Sequence, residues 1–144
     1  MTGGCQCGRV RYRAEIGSDD AYLCHCRMCR KATGGFAASF VQLPVAGVTW
    51  ESEPAWYQSS PIARRAFCPQ CGTPLAFDFI DSSGEMDLTV GSFDDPARFR
   101  PAAHAGSESL LEAWIDTSAI KRHYTAESEN VAKRWQAVGR EVPE

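Results

Sequence analysis

No apolar run in these 144 residues approaches the ~18 needed to cross a bilayer. The opening stretch MTGGCQCGRV also lacks the apolar core of an export signal. Both absences place the chain, as an expectation, in the reducing cytoplasm, where paired cysteines serve metal or redox sites more often than disulfides. The motif G-x-S-x-G is missing, which removes the strained serine elbow of α/β-hydrolases. There is no P-loop, no dinucleotide-binding glycine fingerprint and no H-E-x-x-H. Histidine is scarce at three residues, and none forms a recognisable triad with Ser39 or Ser92. Charge of one sign is not in excess either: 15 basic against 18 acidic side chains leave −3. That surface offers no electrostatic reason to expect nucleic acid or an anionic membrane as partner. Repeats, low-complexity tracts and long linkers are absent.

A hydrophobic content of 44% and a charged content of 23% are those of a globular protein. The length suits one domain over residues 1–144, large enough to bury a core without disulfides. Its pattern is mainly β. Val10, Tyr12 and Ala14 alternate with polar residues, as do Phe36, Ala38 and Phe40, then Leu75, Phe77 and Phe79, then Met86, Leu88 and Val90. Shorter β-prone pieces are Val48-Thr49-Trp50 and Ala55-Trp56-Tyr57, and Trp50, Trp56 and Phe77 read as core. Turns fall at Gly34-Gly35, Pro44 to Gly47, Ser59-Ser60-Pro61, Ser82-Ser83-Gly84 and Asp94-Asp95-Pro96. Arg27 to Ala32 reads as one short helical turn. Glu127 to Val138 reads as a longer helix stopped by Gly139, in a C-terminal helical appendage over 126–144.

What is plentiful is cysteine: seven, in three clusters. Cys68-Pro69-Gln70-Cys71-Gly72 is a C-x-x-C turn that presents two sulfurs to one point. The following glycine tolerates positive φ and opens backbone N–H groups to the sulfurs. Cys5-Gln6-Cys7-Gly8 is the matching C-x-C-G, so Cys5, Cys7, Cys68 and Cys71 make a closed four-thiolate zinc site tying distant segments together. Cys24-His25-Cys26-Arg27-Met28-Cys29 is left with three thiols. Three protein ligands keep a zinc position for water or substrate, and this makes Cys24, Cys26 and Cys29 the candidate reactive centre. Alternatively His25, His104 or His123 completes a second structural zinc, although a residue between two ligands normally points away from the metal. Arg27, Arg30 and Lys31 lie beside the cluster, where they offset its negative charge or hold a substrate carboxylate, or else simply face solvent.

The texts G-G-C-Q-C-G, C-H-C-R-M-C-R-K-A-T-G-G-F and F-C-P-Q-C-G-T-P-L, in this order and spacing, resemble the glutathione-dependent formaldehyde-activating family, also called the centromere-protein-V/formaldehyde-activating domain. The resemblance covers about residues 3–125. It implies a β-rich, Mss4-like fold of antiparallel sheets around two zinc sites: a structural zinc on Cys5, Cys7, Cys68 and Cys71, and one on Cys24, Cys26 and Cys29 where the glutathione thiol binds. It further implies carbon–sulfur lyase chemistry, namely the condensation of glutathione with formaldehyde to S-hydroxymethylglutathione. The chain departs from the family at His104-Ala105-Gly106-Ser107, where an apolar pair commonly follows the histidine. A non-catalytic zinc module that binds a protein partner is the competing reading.

Overall fold

The computed structural model describes residues 1–81, 84–116 and 129–141. The chain forms two compact units, Met1–Leu111 and Glu112–Glu144. The first holds strands β1 (Thr2–Gly4), β2 (Arg11–Ala14), β3 (Asp20–Cys24), β4 (Ala38–Pro44), β5 (Val48–Trp50), β6 (Ala55–Ser60), β7 (Ala63–Phe67), β8 (Pro74–Phe79), β9 (Glu85–Thr89) and β10 (Arg100–Ala105). Helix α1 (Arg27–Thr33) lies between β3 and β4. A three-stranded sheet runs β1-β2-β5, and a seven-stranded sheet runs β10-β3-β4-β9-β8-β7-β6. The pairings are antiparallel except that of β10 on β3, which is parallel.

Period-two alternation explains why the large sheet has a different layer on each face. On β4, Val41 and Leu43 enter the main core, whereas Ala38 and Phe40 pack with Cys29 on the opposite side. On β9, Met86 and Leu88 share the face that enters the main core, and the alternate positions Asp87 and Thr89 are buried as well. Strand β8 departs from the expected single face of Leu75, Phe77 and Phe79. Its register with β7 pairs Pro74 with Phe67 and Ala76 with Ala66, leaving Leu75 as the extra residue. That bulge turns Leu75 into the main core beside Ala76, while Phe77 joins the cluster around Cys29. The helical turn expected after Cys26 is α1. Trp50 and Trp56 pack against the main core, as expected of core aromatics.

Tyr12 joins the small sheet to the rest. It is fully buried, its ring meets Trp50 and Phe93 edge-on at 5.3 and 5.5 Å, and its hydroxyl lies 2.8 Å from Ser92 Oγ. Gly3 sits opposite it in the β1–β2 register. Here glycine is required by space. In the second unit, α2 (Glu129–Ala137) matches the expected C-terminal helix, with Glu129 and Lys133 paired at 3.3 Å and Gly139 at φ 71°. Residues 127 and 128 of the expected helix, and Ser82-Ser83 of one expected turn, lie outside the described residues. Among those described, no helix is long and apolar enough to cross a membrane.

A Cβ on Gly3 would stand 2.4 Å from both Cζ and Oη of Tyr12. Gly3→Ala is therefore expected to destabilise the fold by ~1–3 kcal/mol through overpacking. Urea denaturation reads this as a lower midpoint at unchanged slope, and an unchanged midpoint would contradict the packing described.

Candidate metal centres

The closed cluster is built from two turns. In the first, Gly8 N–H donates to the Cys5 carbonyl at 3.0 Å and Cys5 N–H to Val10 at 3.0 Å. In the second, Gly72 N–H donates to the Cys68 carbonyl at 2.9 Å and Cys68 N–H to Thr73 at 3.0 Å. Both glycines sit at φ 76°, with open space where a Cβ would be. The dihedral, and not crowding, is what selects glycine there. Gln6 N–H donates to Thr73 Oγ1 at 3.2 Å and so fastens one turn to the other. The sulfurs of Cys5, Cys7, Cys68 and Cys71 all lie within 4.8 Å of one another. Cys5 and Cys68 are buried, and Val10 N–H donates to the Cys5 sulfur at 3.3 Å.

The open cluster comes from one segment. Cys24 ends β3, Cys26 caps α1, and Cys29 lies in the helix's first turn, donating its backbone N–H to Cys26 Sγ at 3.4 Å. These three sulfurs also lie within 4.8 Å of one another. His25 points away, as its place between two ligands predicts. Its Nε2 is 2.8 Å from Nδ1 of His104 on β10, and its N–H donates to the Ala105 carbonyl at 2.8 Å. Among the described residues no histidine joins either sulfur set, and His123 lies outside them. Gly106, at φ 62°, brings its backbone against Cys26, where a Cβ would stand 2.9 Å from the Cys26 nitrogen. The departure from the family pattern at this point thus touches the cluster directly.

The thiol chemistry suits a cation. Burial first, with the Cys29 sulfur beside it, pushes the Cys24 thiol up to about 12. Burial also raises Cys29, against the lowering contribution of Arg65. Three sulfurs this close, two of them raised, ionise together only around a positive charge, which a divalent metal supplies. Both sets fit a thiophilic ion: four donors for a closed site, three for an open one.

Arg27, Arg30 and Lys31 converge on one open cavity of ≈ 490 Å³, completed by Gly34, Gly35 and Leu111. The structure therefore brings the three predicted basic residues together on the outer side of α1, and the buried Arg30 Nε has no hydrogen-bond partner among the described residues. Three residues beside the cluster were not foreseen. Arg65 on β7 is buried and donates from Nη2 to Cys29 Sγ at 3.2 Å. Tyr22 on β3 packs beside Cys24 and Cys26. Its hydroxyl donates to Asp87 of β9, whose carboxyl burial pushes up to about 6. Their signal in the sequence is faint: a charged residue within an apolar strand pattern, which spacing alone reads as solvent-facing.

A β-rich unit with a four-thiol and a three-thiol cluster defines a class of protein in which two cysteine sets could each hold a metal ion, the first joining two distant turns and the second built on one segment. The family described as glutathione-dependent formaldehyde-activating enzyme matches residues 1–109, and this chain belongs to it. A Schizosaccharomyces pombe protein named as an uncharacterized lyase is 31% identical over 93 residues, 63% of this chain. The match spans 66% of that relative's length. A solved Rhodobacter sphaeroides protein aligns over 73% of this chain and 100% of its own, at 23% identity and a TM-score of 0.60, and so shares the fold. The mainly β, Mss4-like architecture expected from the resemblance is the one observed.

The two clusters should respond differently to loss of one thiol. Cys68→Ser is expected to lower the melting temperature by more than ~10 °C, roughly 3 kcal/mol at this size, because its site joins segments 61 residues apart. Cys26→Ser is expected to keep the fold while losing one metal equivalent. Thermal melts with elemental analysis check this, and global unfolding by Cys26→Ser alone would exchange the two roles.

Asp87 makes stability depend on pH. Its carboxyl keeps a proton to a higher pH when folded than when unfolded, so stability falls as pH rises from its ordinary 3.8 through about 6. Asp87→Asn removes this and should stabilise the chain by ~1–1.5 kcal/mol more at pH 8 than at pH 5. Urea denaturation at the two pH values reads the difference, and an equal effect at both contradicts the assignment.

Proposed function

We propose that this chain is a zinc-dependent enzyme of the carbon–sulfur lyase type that acts on a thiol adduct, such as the condensation of glutathione with formaldehyde to S-hydroxymethylglutathione. The observation that carries the reading is the three-sulfur set of Cys24, Cys26 and Cys29 beside a cavity walled by Arg27, Arg30 and Lys31. Family membership and the lyase name of the fission-yeast relative support it. Zinc on Cys24, Cys26 and Cys29 would leave a position for an exogenous thiolate and favour that thiol's ionised form, while zinc on Cys5, Cys7, Cys68 and Cys71 would be structural.

The chain's own residues supply the rest. Arg27, Arg30 and Lys31 are placed to bind the carboxylates of a peptide thiol such as glutathione, which fixes where its sulfur can reach. Arg65 holds the Cys29 sulfur and places positive charge on the inner side of the cluster. Phe40, Tyr22 and Phe77 keep water from that side. In the forward direction the thiol sulfur bonds to the carbonyl carbon, the C=O double bond becomes single, and the thiol proton ends on the new hydroxyl. The reverse breaks the same C–S bond. A protein-binding module would instead be favoured by a closed second site under a large apolar patch, whereas a basic cavity lies beside this one.

Titration calorimetry of glutathione into the zinc-loaded protein and its variants tests the reading. Binding should release protons, weaken as pH falls, disappear in Cys26→Ser, and weaken about tenfold in Arg30→Ala. Equal binding to the native protein and Cys26→Ser, or none to either, would overturn the enzyme assignment in favour of a non-catalytic zinc module.

A further inference from the structure

A second cavity lies on the inner side of α1 and is not used by the thiol reading. Ala32 and Thr33 of α1, Phe40 of β4, Tyr57 of β6, and Arg65 and Phe67 of β7 wall a space of ≈ 180 Å³. Arg65 is only 6% exposed, and among its five N–H donors one goes to Cys29 Sγ at 3.2 Å. Its guanidinium carbon lies 4.9 Å over the Phe77 ring. Among the described residues no carboxylate pairs with it, whereas its neighbour Arg64 takes Asp78 at 2.6 Å. Arg65 thus touches the reactive cluster on one side and presents donors to an otherwise mostly apolar cavity on the other.

Such a cavity selects its ligand by three criteria. The guanidinium calls for an oxygen acceptor, and the aromatic and alanine walls call for carbon around it. Size favours a ligand larger than formaldehyde: at the ~30 Å³ that a water takes in the liquid, 180 Å³ holds about six heavy atoms, and formaldehyde fills only two of those places. Charge argues against an anion, because three thiolates around a divalent ion carry −1, and a bound substrate thiolate makes −2.

We propose that this cavity binds the electrophile, and that the electrophile is a neutral aldehyde with an apolar chain of about three to five carbons. Its carbonyl oxygen accepts from Arg65, and its chain lies against Phe40 and Phe67. This deepens the thiol-adduct reading and rests on it. The substrate sulfur adds to the aldehyde carbon, the C=O π pair moves to oxygen, and the thiol proton ends on that oxygen, giving a hemithioacetal with no atom lost. Arg65 stabilises the negative charge that develops on the oxygen before the proton arrives.

Butyramide, an unreactive neutral isostere of a four-carbon aldehyde, probes the cavity in the metal-loaded protein by NMR of the Ala32 and Thr33 methyl groups. It should shift both saturably. Formamide should bind at least tenfold more weakly, and Ala32→Phe and Arg65→Lys should each weaken butyramide at least tenfold. With glutathione saturating, kcat/KM for butanal should exceed that for formaldehyde at least tenfold, and Ala32→Phe should reverse the order. Glutathione binding without a butyramide site at Arg65, or a native preference for formaldehyde, overturns this inference and leaves the thiol reading standing. Tighter binding of butyrate than of butyramide overturns the neutral class. Butyramide at Arg65 with no adduct from any aldehyde overturns the enzyme reading, and the electrophile with it.

Discussion

Everything in the first unit hangs on four sulfurs brought together from two turns 61 residues apart. The small sheet contributes only three short strands, and its edges cannot bury enough apolar surface to hold it in place alone. Tyr12 supplies one tie, through Trp50, Phe93 and Ser92. Arg11 supplies another by gripping Asp94 with both terminal nitrogens. The thiol clamp fixes the start of the chain to the end of β7, and β7 carries Arg65. The closed cluster therefore sets where the positive charge behind the open cluster stands.

The two clusters divide the work along physical lines. The closed set joins segments remote in sequence and has little freedom to rearrange. The open set sits on a strand end, a helix cap and a first helical turn, all within six residues of chain. Its surroundings, in contrast, come from everywhere: β4, β7, β9, β10 and the glycine after β10. Chemistry that needs fixed ligands but adaptable walls is well served by this separation.

Local signals exposed the thiols and hid their surroundings. The cysteine spacings made both ligand sets legible, because knuckle turns are local objects governed by a few dihedrals. Strands β2, β4, β8 and β9 were legible from alternation, and α1 from its place after Cys26. Strands β1, β7 and β10 were not: Thr2–Gly4 is mostly glycine, Ala63–Phe67 carries two arginines, and Arg100–Ala105 includes a proline. Arg65 and Asp87 illustrate the same limit at the site. A charged residue in a strand is read as facing water, and only the long-range pairing shows that each is buried against a partner. The bulge at Leu75 escaped because it arises from the register with β7, not from any property of β8 itself.

The parallel strand β10 has a consequence for biosynthesis. All three thiols of the open cluster leave the ribosome early, yet His104, the partner of His25, comes 79 residues later in the chain, and Gly106 packs on Cys26 only after that. A parallel neighbour cannot form by a tight hairpin and waits for the intervening chain. Throughout that interval Cys24, Cys26 and Cys29 stand together without the strand that borders them, open to oxidants and to whatever metal is at hand. Any ion those three thiols took up in that interval would be chosen before the mature walls exist to influence it.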